Sequence, residues 1–183
     1  MIKLVAFAGR AGNTVDAYVS PALVPYQHPL ASVKGAFNAV YLHGHACDDM
    51  MIYGRGAGSA PTSSAVVSDL LNAALSERLE VPAFDSTAEG LSNDVRMADD
   101  RACAFYLRLS VQDATGVLAH IAGCLSREGV SVRALLQPQA RVEDGAQITI
   151  MTHPAQESQV RRAVQTFDKS IVKVMNVLRV VDA

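Results

Sequence analysis

Glycine stands at three alternate positions, Gly54, Gly56 and Gly58, and Ser59-Ala60-Pro61-Thr62-Ser63-Ser64 follows at once, leading through Ala65-Val66-Val67-Ser68 to Asp69. The glycines let the backbone bend and let a ligand approach it without meeting a Cβ, and Pro61 suits a first helical position. A strand is expected to enter this turn and a helix to leave it. The N–H groups and positive dipole end of such a helix attract phosphate, carboxylate or carboxamide oxygens, which makes the segment a candidate wall of a cofactor or substrate site. The spacing is neither G-x-G-x-x-G with an acidic residue about 20 positions on nor a phosphate loop ending in Gly-Lys-Ser/Thr. The same residues equally suit a turn that only packs a helix against a sheet.

Other chemistry-bearing groups are sparser. His43, His45 and Cys47 alternate, so in an extended strand they share one face, as soft ligands for zinc or copper would. A fourth ligand is not evident and hairpin tips often carry solvated histidines, so no metal is expected. His28 before Pro29 reads as a turn residue rather than a general base, and His120 as a helix-face residue rather than a ligand. A serine-nucleophile elbow is absent, because Ser59 has Ala57 and Pro61 where flanking glycines are needed. Met50 and Met51 read as hairpin packing, and Arg161-Arg162 as a solvated helix face. On spacing alone Asp113 is a helix N-cap, Ser131 a surface strand residue and Gln137 a solvated polar group.

The elements that must position these groups fall into two blocks and a joint. Ile2 to Ala8 and Val15 to Val19 read as short strands, and Asn38 to Leu42 with Met50 to Tyr53 as an antiparallel hairpin. Pro61 to Leu79 reads as a helix, with Val66, Val67, Leu70, Leu71, Ala74, Leu75 and Leu79 three and four residues apart. Val81 to Arg101 is rich in turn formers and charges and reads as a linker. Beyond it come a strand at Ala104 to Val111, a helix at Gly116 to Glu128 closed by Gly129, and strands at Val130 to Leu136 and Gln147 to Thr152. A helix at Pro154 to Phe167 and a strand at Val172 to Val181 complete a βαββαβ, ferredoxin-like order, so the expected class is α+β.

Composition bounds the function. Sixteen basic residues against eighteen acidic ones leave no surplus charge for nucleic acid. A hydrophobic fraction of 50% is ample for cores, yet no apolar run reaches the roughly 18 residues a membrane span needs, and Gly9 to Asn13 interrupts the first apolar stretch too early for a secretory signal. A cytoplasmic protein is expected. Cys47, Cys103 and Cys124 lack C-x-x-C spacing, which favours reduced thiols.

The segment His28-Pro29-Leu30-Ala31-Ser32-Val33-Lys34-Gly35-Ala36-Phe37-Asn38-Ala39-Val40, followed by the Gly54 to Asp69 run, resembles the later part of the catalytic region of homoserine dehydrogenases. Ile2 to Ala8 resembles the strand before it in that family, and Tyr106-Leu107-Arg108-Leu109 with Asp113-Ala114-Thr115-Gly116-Val117-Leu118 resembles the opening of the ACT regulatory domain of many bacterial members. The likeness covers nearly the whole chain, with 81–101 matching by position alone. It implies an end of the catalytic and dimerisation domain at 1–80, a linker at 81–102 and an ACT domain at 103–183.

The resemblance implies an oxidoreductase that interconverts L-aspartate 4-semialdehyde and L-homoserine with NAD(P), in threonine, methionine and isoleucine biosynthesis. Gly58 is similar to the glycine whose backbone lies against the nicotinamide. The family's Rossmann domain and its catalytic Asp and Lys precede the strand that resembles Ile2 to Ala8, so no catalytic residue is expected in this chain, Lys3 and Lys34 included. The chain alone is expected to be inactive and to hold no cofactor stably. For the ACT part, the resemblance implies an amino-acid effector, L-threonine or a relative, at Asp113, Gly116, Ser131 and Gln137, the last matching a glutamine of threonine-sensitive members. Such a zwitterion needs an acceptor for its ammonium, helix N–H groups for its carboxylate and a hydroxyl or amide for its side chain. The family commonly has Pro where this chain has Thr115. Self-association as a dimer or higher oligomer is expected. The other reading is a stand-alone amino-acid-sensing module, in which the first block only mediates dimerisation.

Overall fold

The computed structural model describes residues 1–46, 48–75, 95–138 and 145–181. The longer strands are β1 (Ile2–Ala11), β2 (Thr14–Leu23), β3 (Phe37–Gly44) and β4 (Asp48–Arg55), followed by helix α1 (Ser59–Leu75). Two short strands, β5 (Arg96–Met97) and β6 (Ala102–Cys103), precede β7 (Phe105–Val111) and α2 (Val117–Arg127). Then come β8 (Val132–Leu136), β9 (Ala146–Thr152), β10 (Ala155–Gln156), α3 (Glu157–Gln165) and β11 (Val172–Val180). The fold is α+β, with two compact units: Met1–Pro25 with Arg96–Ala183, and Tyr26–Val95.

In the first unit the order β1-β2-β11-β7-β9-β8 makes one sheet, with β5 on the free part of β2. Strict alternation explains the core. Phe105, Leu107, Leu109 and Val111 of β7, and Ile148 and Ile150 of β9, are buried on one face, where Val117, Ile121 and Leu125 of α2 and Val160 of α3 cover them. Each such side chain contributes about 1.5–3 kcal/mol relative to exposure. Thr152 is also wholly buried, and its hydroxyl accepts the Phe105 N–H at 2.9 Å. Gly129, at φ +72°, closes α2, and the Val130 N–H returns to the Leu125 carbonyl at 2.9 Å.

The β1–β2 hairpin joins this sheet through β11. Arg179 and Val180 pair in parallel with Ala22 and Leu23. The domain of residues 1–80 that the resemblance implies puts residues 1–25 with 26–80, whereas the strands of residues 1–25 lie in the sheet of the βαββαβ segment. Residues 81–94 of the expected linker lie outside the described residues, and its described part is built in: Arg96 and Met97 pair with Thr14 and Val15, and Ala102 and Cys103 with Gln156 and Ala155. That last ladder holds 155–156 extended, so α3 starts at Glu157 and not at Pro154.

In the second unit β3 and β4 form an antiparallel hairpin in which Phe37 pairs with Arg55 and Gly44 with Asp48. Phe37 and Tyr53 stack with ring centres 4.8 Å apart. α1 begins two residues before Pro61, which therefore takes the third helical position, still in the first turn where an N–H has no intrahelical acceptor. The expected end of this helix at Leu79 lies outside the described residues. Val66, Val67, Leu70, Leu71 and Leu75 are all exposed. No described helix is long and apolar enough to cross a membrane.

Candidate functional site

The glycine run forms the strand–turn–helix its composition predicts, with β4 entering and α1 leaving. Gly58 sits at φ +123°, a conformation L side chains rarely adopt, and its carbonyl accepts both the N–H and the hydroxyl of Thr62, at 3.2 and 2.8 Å. The Ser59 and Ala60 N–H groups have no acceptor within the helix, and no acidic residue occupies the first turn. The positive end of α1 is thus uncompensated by its own side chains. Gly56 donates its N–H to the Ala36 carbonyl at 3.0 Å, and a Cβ on it would fall 1.5 Å from Asn38 Nδ2. Asn38 therefore occupies the space that glycine leaves, and that space is the signal in the pattern that could have singled it out.

Around the hairpin the histidines have other work. His28 is buried, its Nδ1 accepts the Leu30 N–H at 3.1 Å, and its ring lies 4.7 Å from that of Tyr41, so it caps the 3-10 turn Pro29–Ser32 as a turn residue. His43 Nδ1 lies 2.8 Å from Asp49 Oδ1. That bond, and then one from the Tyr41 hydroxyl, hold the Asp49 carboxyl below its ordinary range, while the same contact raises Tyr41. β3 ends at Gly44, so His45 lies in the turn and does not continue the alternation; Cys47 lies outside the described residues. No group of three metal-ligating side chains occurs among the described residues.

In the βαββαβ segment the β7–α2 turn carries Asp113 and Gly116, both exposed, with Gly116 at φ +92°. Gly116, not Asp113, is the N-cap of α2, and no side chain caps the helix, which corrects the plain capping role for Asp113. Gln137 follows β8 and is exposed at the same end of the sheet, since Leu136 pairs with Thr149 and Thr149 with Arg108. One strand separates β8 from β7, and Leu136 lies level with Arg108, three residues short of the end of β7, so the two strand ends are about 14 Å apart. Ser131 lies at the opposite end, where its carbonyl accepts the His153 N–H at 2.9 Å. Asp113, Gly116 and Gln137 thus lie toward one end of the sheet, and Ser131 does not.

His120, read as a face residue, accepts the Asp168 N–H at 3.0 Å through Nε2 and fixes the loop before β11. Cys103 and Cys124 are both buried, and Cys124 Sγ accepts a hydrogen bond from Arg127 at 3.1 Å. Arg161 and Arg162 are more than a solvated face: they bond Glu157 and Glu128, at 3.2 and 2.7 Å. A second polar cluster escaped the sequence pattern, because its members are remote in the chain: Arg179 bonds Glu157 and the Ser20 hydroxyl, and Arg101 bonds Asp16.

The family model described as homoserine dehydrogenase matches residues 1–71. The chain is 37% identical to the homoserine dehydrogenase of Corynebacterium glutamicum over 96% of its own length and 40% of the relative's, and 34% identical to that of Bacillus subtilis over 91% and 39%. A solved homoserine dehydrogenase from Thiobacillus denitrificans superposes with a TM-score of 0.78 at 33% identity, over 99% of this chain and 42% of the other. The S. aureus homoserine dehydrogenase at pH 6.5 gives a TM-score of 0.64 at 26% identity, over 100% and 41%. Fold and sequence together match one α+β portion of these relatives. The chain belongs to the homoserine dehydrogenases, and spans about 40% of the length of these relatives.

Proposed function

We propose that this chain is the part of a homoserine dehydrogenase that closes the substrate and cofactor site and carries its regulatory domain. The whole enzyme interconverts L-aspartate 4-semialdehyde and L-homoserine, within the biosynthesis of threonine, methionine and isoleucine. One observation carries this reading: the turn from β4 to α1 leaves bare backbone at Gly58 and two N–H groups at an uncompensated helix N-terminus. Such a surface accepts a flat, carboxamide-bearing ring and offers its oxygens donors, which fits a nicotinamide. NAD(P), when bound, takes the hydride that the alcohol carbon of homoserine loses. This chain's own share is positioning, through Gly58 and the α1 N–H groups. The acid–base groups belong to the remainder of the enzyme, so the chain alone is inactive.

The βαββαβ segment in this reading is an ACT domain, whose edge at Asp113, Gly116 and Gln137 takes L-threonine or a related amino acid. Ser131 belongs to that site by resemblance alone. Exposed Val40, Ile52 and Leu70 in the Tyr26–Val95 unit support self-association, in a protein without a nucleic-acid or membrane partner and resident in the cytoplasm.

The test is a chimera in which this chain replaces the matching 40% of the C. glutamicum enzyme. It should oxidise homoserine with NAD(P), Gly58→Val should abolish turnover while the circular dichroism stays native, and the 183-residue chain by itself should give none. A folded chimera without turnover overturns the reading.

A further inference from the structure

A cavity of 390 Å³ opens within the unit of Met1–Pro25 and Arg96–Ala183, between β2, β11 and α3, and nothing above uses it. That volume lies at the lower end of small-ligand pockets. Phe105, Val160, Val164 and Val177 give it an apolar lining, and Arg179, Glu157 and Arg161 a charged wall.

The wall has a definite imbalance. Glu157 spends both carboxylate oxygens, Oε1 on Arg161 and Oε2 on Arg179. Arg179 gives one terminal nitrogen to Glu157 and the other to the Ser20 hydroxyl at 3.0 Å, and the Tyr18 ring covers its guanidinium at 4.3 Å. Its Nε is buried with no hydrogen-bond partner. Two guanidinium groups against one carboxylate leave a net positive wall, in which Arg179 is held in place and carries one unsatisfied donor while Arg161 is exposed. A buried unpaired N–H is costly, and a carboxylate oxygen that displaced the packing over it would relieve it.

We propose that this cavity binds a small monocarboxylate with an apolar body and no ammonium group. The charge selects an anion and the valine and phenylalanine lining selects an apolar tail. The net positive wall repels an ammonium, which disfavours the α-amino acids that the end of the sheet at Asp113 and Gln137 would take. The two sites lie at opposite ends of the sheet. Because Ser20 and Pro21 belong to the hairpin and Glu157 and Arg179 to α3 and β11, an occupant joins the hairpin to the rest of the unit and should raise its melting temperature.

Three probes of one carbon skeleton test this with the 183-residue chain: 4-methylpentanoate, leucine and 4-methylpentanamide. Valine methyl NMR should show 4-methylpentanoate shifting Val160, Val164 and Val177 saturably at millimolar concentration, with leucine and the amide weaker by about tenfold or more. Arg179→Lys, which keeps the charge and loses the Nε–H, should weaken the acid by about tenfold. Val177→Phe should fill the cavity and abolish binding at an unchanged circular dichroism spectrum, and Gln137→Ala should leave it intact. Equal binding of the amide or of leucine, retention in Val177→Phe, loss in Gln137→Ala, or no saturable shift with the acid would each overturn the assignment.

Discussion

The Arg101 guanidinium carbon lies 3.7 Å from the centre of the Phe7 ring. It is also 4.6 Å from the ring of Tyr18, the residue that pairs with Phe7 across the hairpin and stacks on it at 5.4 Å. Asp16, two residues before Tyr18, completes the contact as the ion-pair partner. A residue from the end of the expected linker thus rests on the aromatic face of a hairpin some 85 positions earlier in the chain. Both charges are mostly withdrawn from water, so the cation–π contact is worth about 1–2 kcal/mol.

Replacing Arg101 with Ala is therefore expected to lower unfolding stability by that amount, and Arg101→Lys by less, because an ammonium lacks the flat face that stacks on two rings. Urea unfolding followed by far-ultraviolet circular dichroism checks the order. Equal stability of all three proteins would show that the stack contributes nothing.

Gly56→Ala is expected to be mildly destabilising for a reason that a glycine-rich turn does not by itself imply. The new Cβ would sit on Asn38 Nδ2 and 2.6 Å from its Cγ, so the Asn38 side chain must leave its place. Asn38 is exposed and its amide can swing into solvent, so the cost should be about 1 kcal/mol or less. The double variant Gly56→Ala with Asn38→Ala should recover most of it, and a double variant as unstable as the sum of the singles would reject the steric account.

Period and alternation in the sequence made much of the βαββαβ segment legible. Phe105, Leu107, Leu109 and Val111 alternate in the chain as they alternate across the sheet, and Val117, Ile121 and Leu125 recur at helical spacing. The attachment of the hairpin was not legible. It depends on parallel pairs between Arg179–Val180 and Ala22–Leu23, and on Arg179 reaching Ser20, contacts between segments that leave no trace in local pattern. The strand–turn–helix at Gly58 could be read because positive φ leaves glycine as its signature. The cavity beside Arg179 could not, because its wall comes from β2, α3 and β11 at once.

Acid should weaken the βαββαβ unit through two carboxylates. Asp168 is held below its ordinary 3.8 chiefly by the Ser170 hydroxyl, at 2.6 Å, and Asp100 by bonds from Ser158. A depressed folded-state value means that the stabilisation is present above about pH 4 and is lost as the pH falls through the folded value. The urea midpoint should thus decline on acidification below about pH 4, and Asp168→Asn, less stable at neutral pH, should show a flatter decline. An equally steep fall in the variant would remove Asp168 from the account.

The proposed effector edge gives the last prediction. The Asp113 carboxylate is exposed and does not cap α2, whose N-cap is Gly116, and Gln137 stands at the same end of the sheet. If L-threonine binds there and biases the enzyme between two arrangements, a coupling of about 1–3 kcal/mol changes apparent affinity by roughly 5- to 150-fold. Gln137→Ala should weaken threonine by about 1 kcal/mol, the loss of one polar contact, and leave the fold intact. Asp113→Asn should weaken it more, because the ammonium then faces a neutral amide in place of a charge. Ser131→Ala separates two geometries: Ser131 sits at the other end of β8, so within one chain its loss changes nothing, whereas a site completed by a second copy can draw on it. Calorimetric titration of the four proteins decides. Equal threonine affinity in wild type, Gln137→Ala and Asp113→Asn would reject the site, and no binding at millimolar threonine would reject threonine as its ligand.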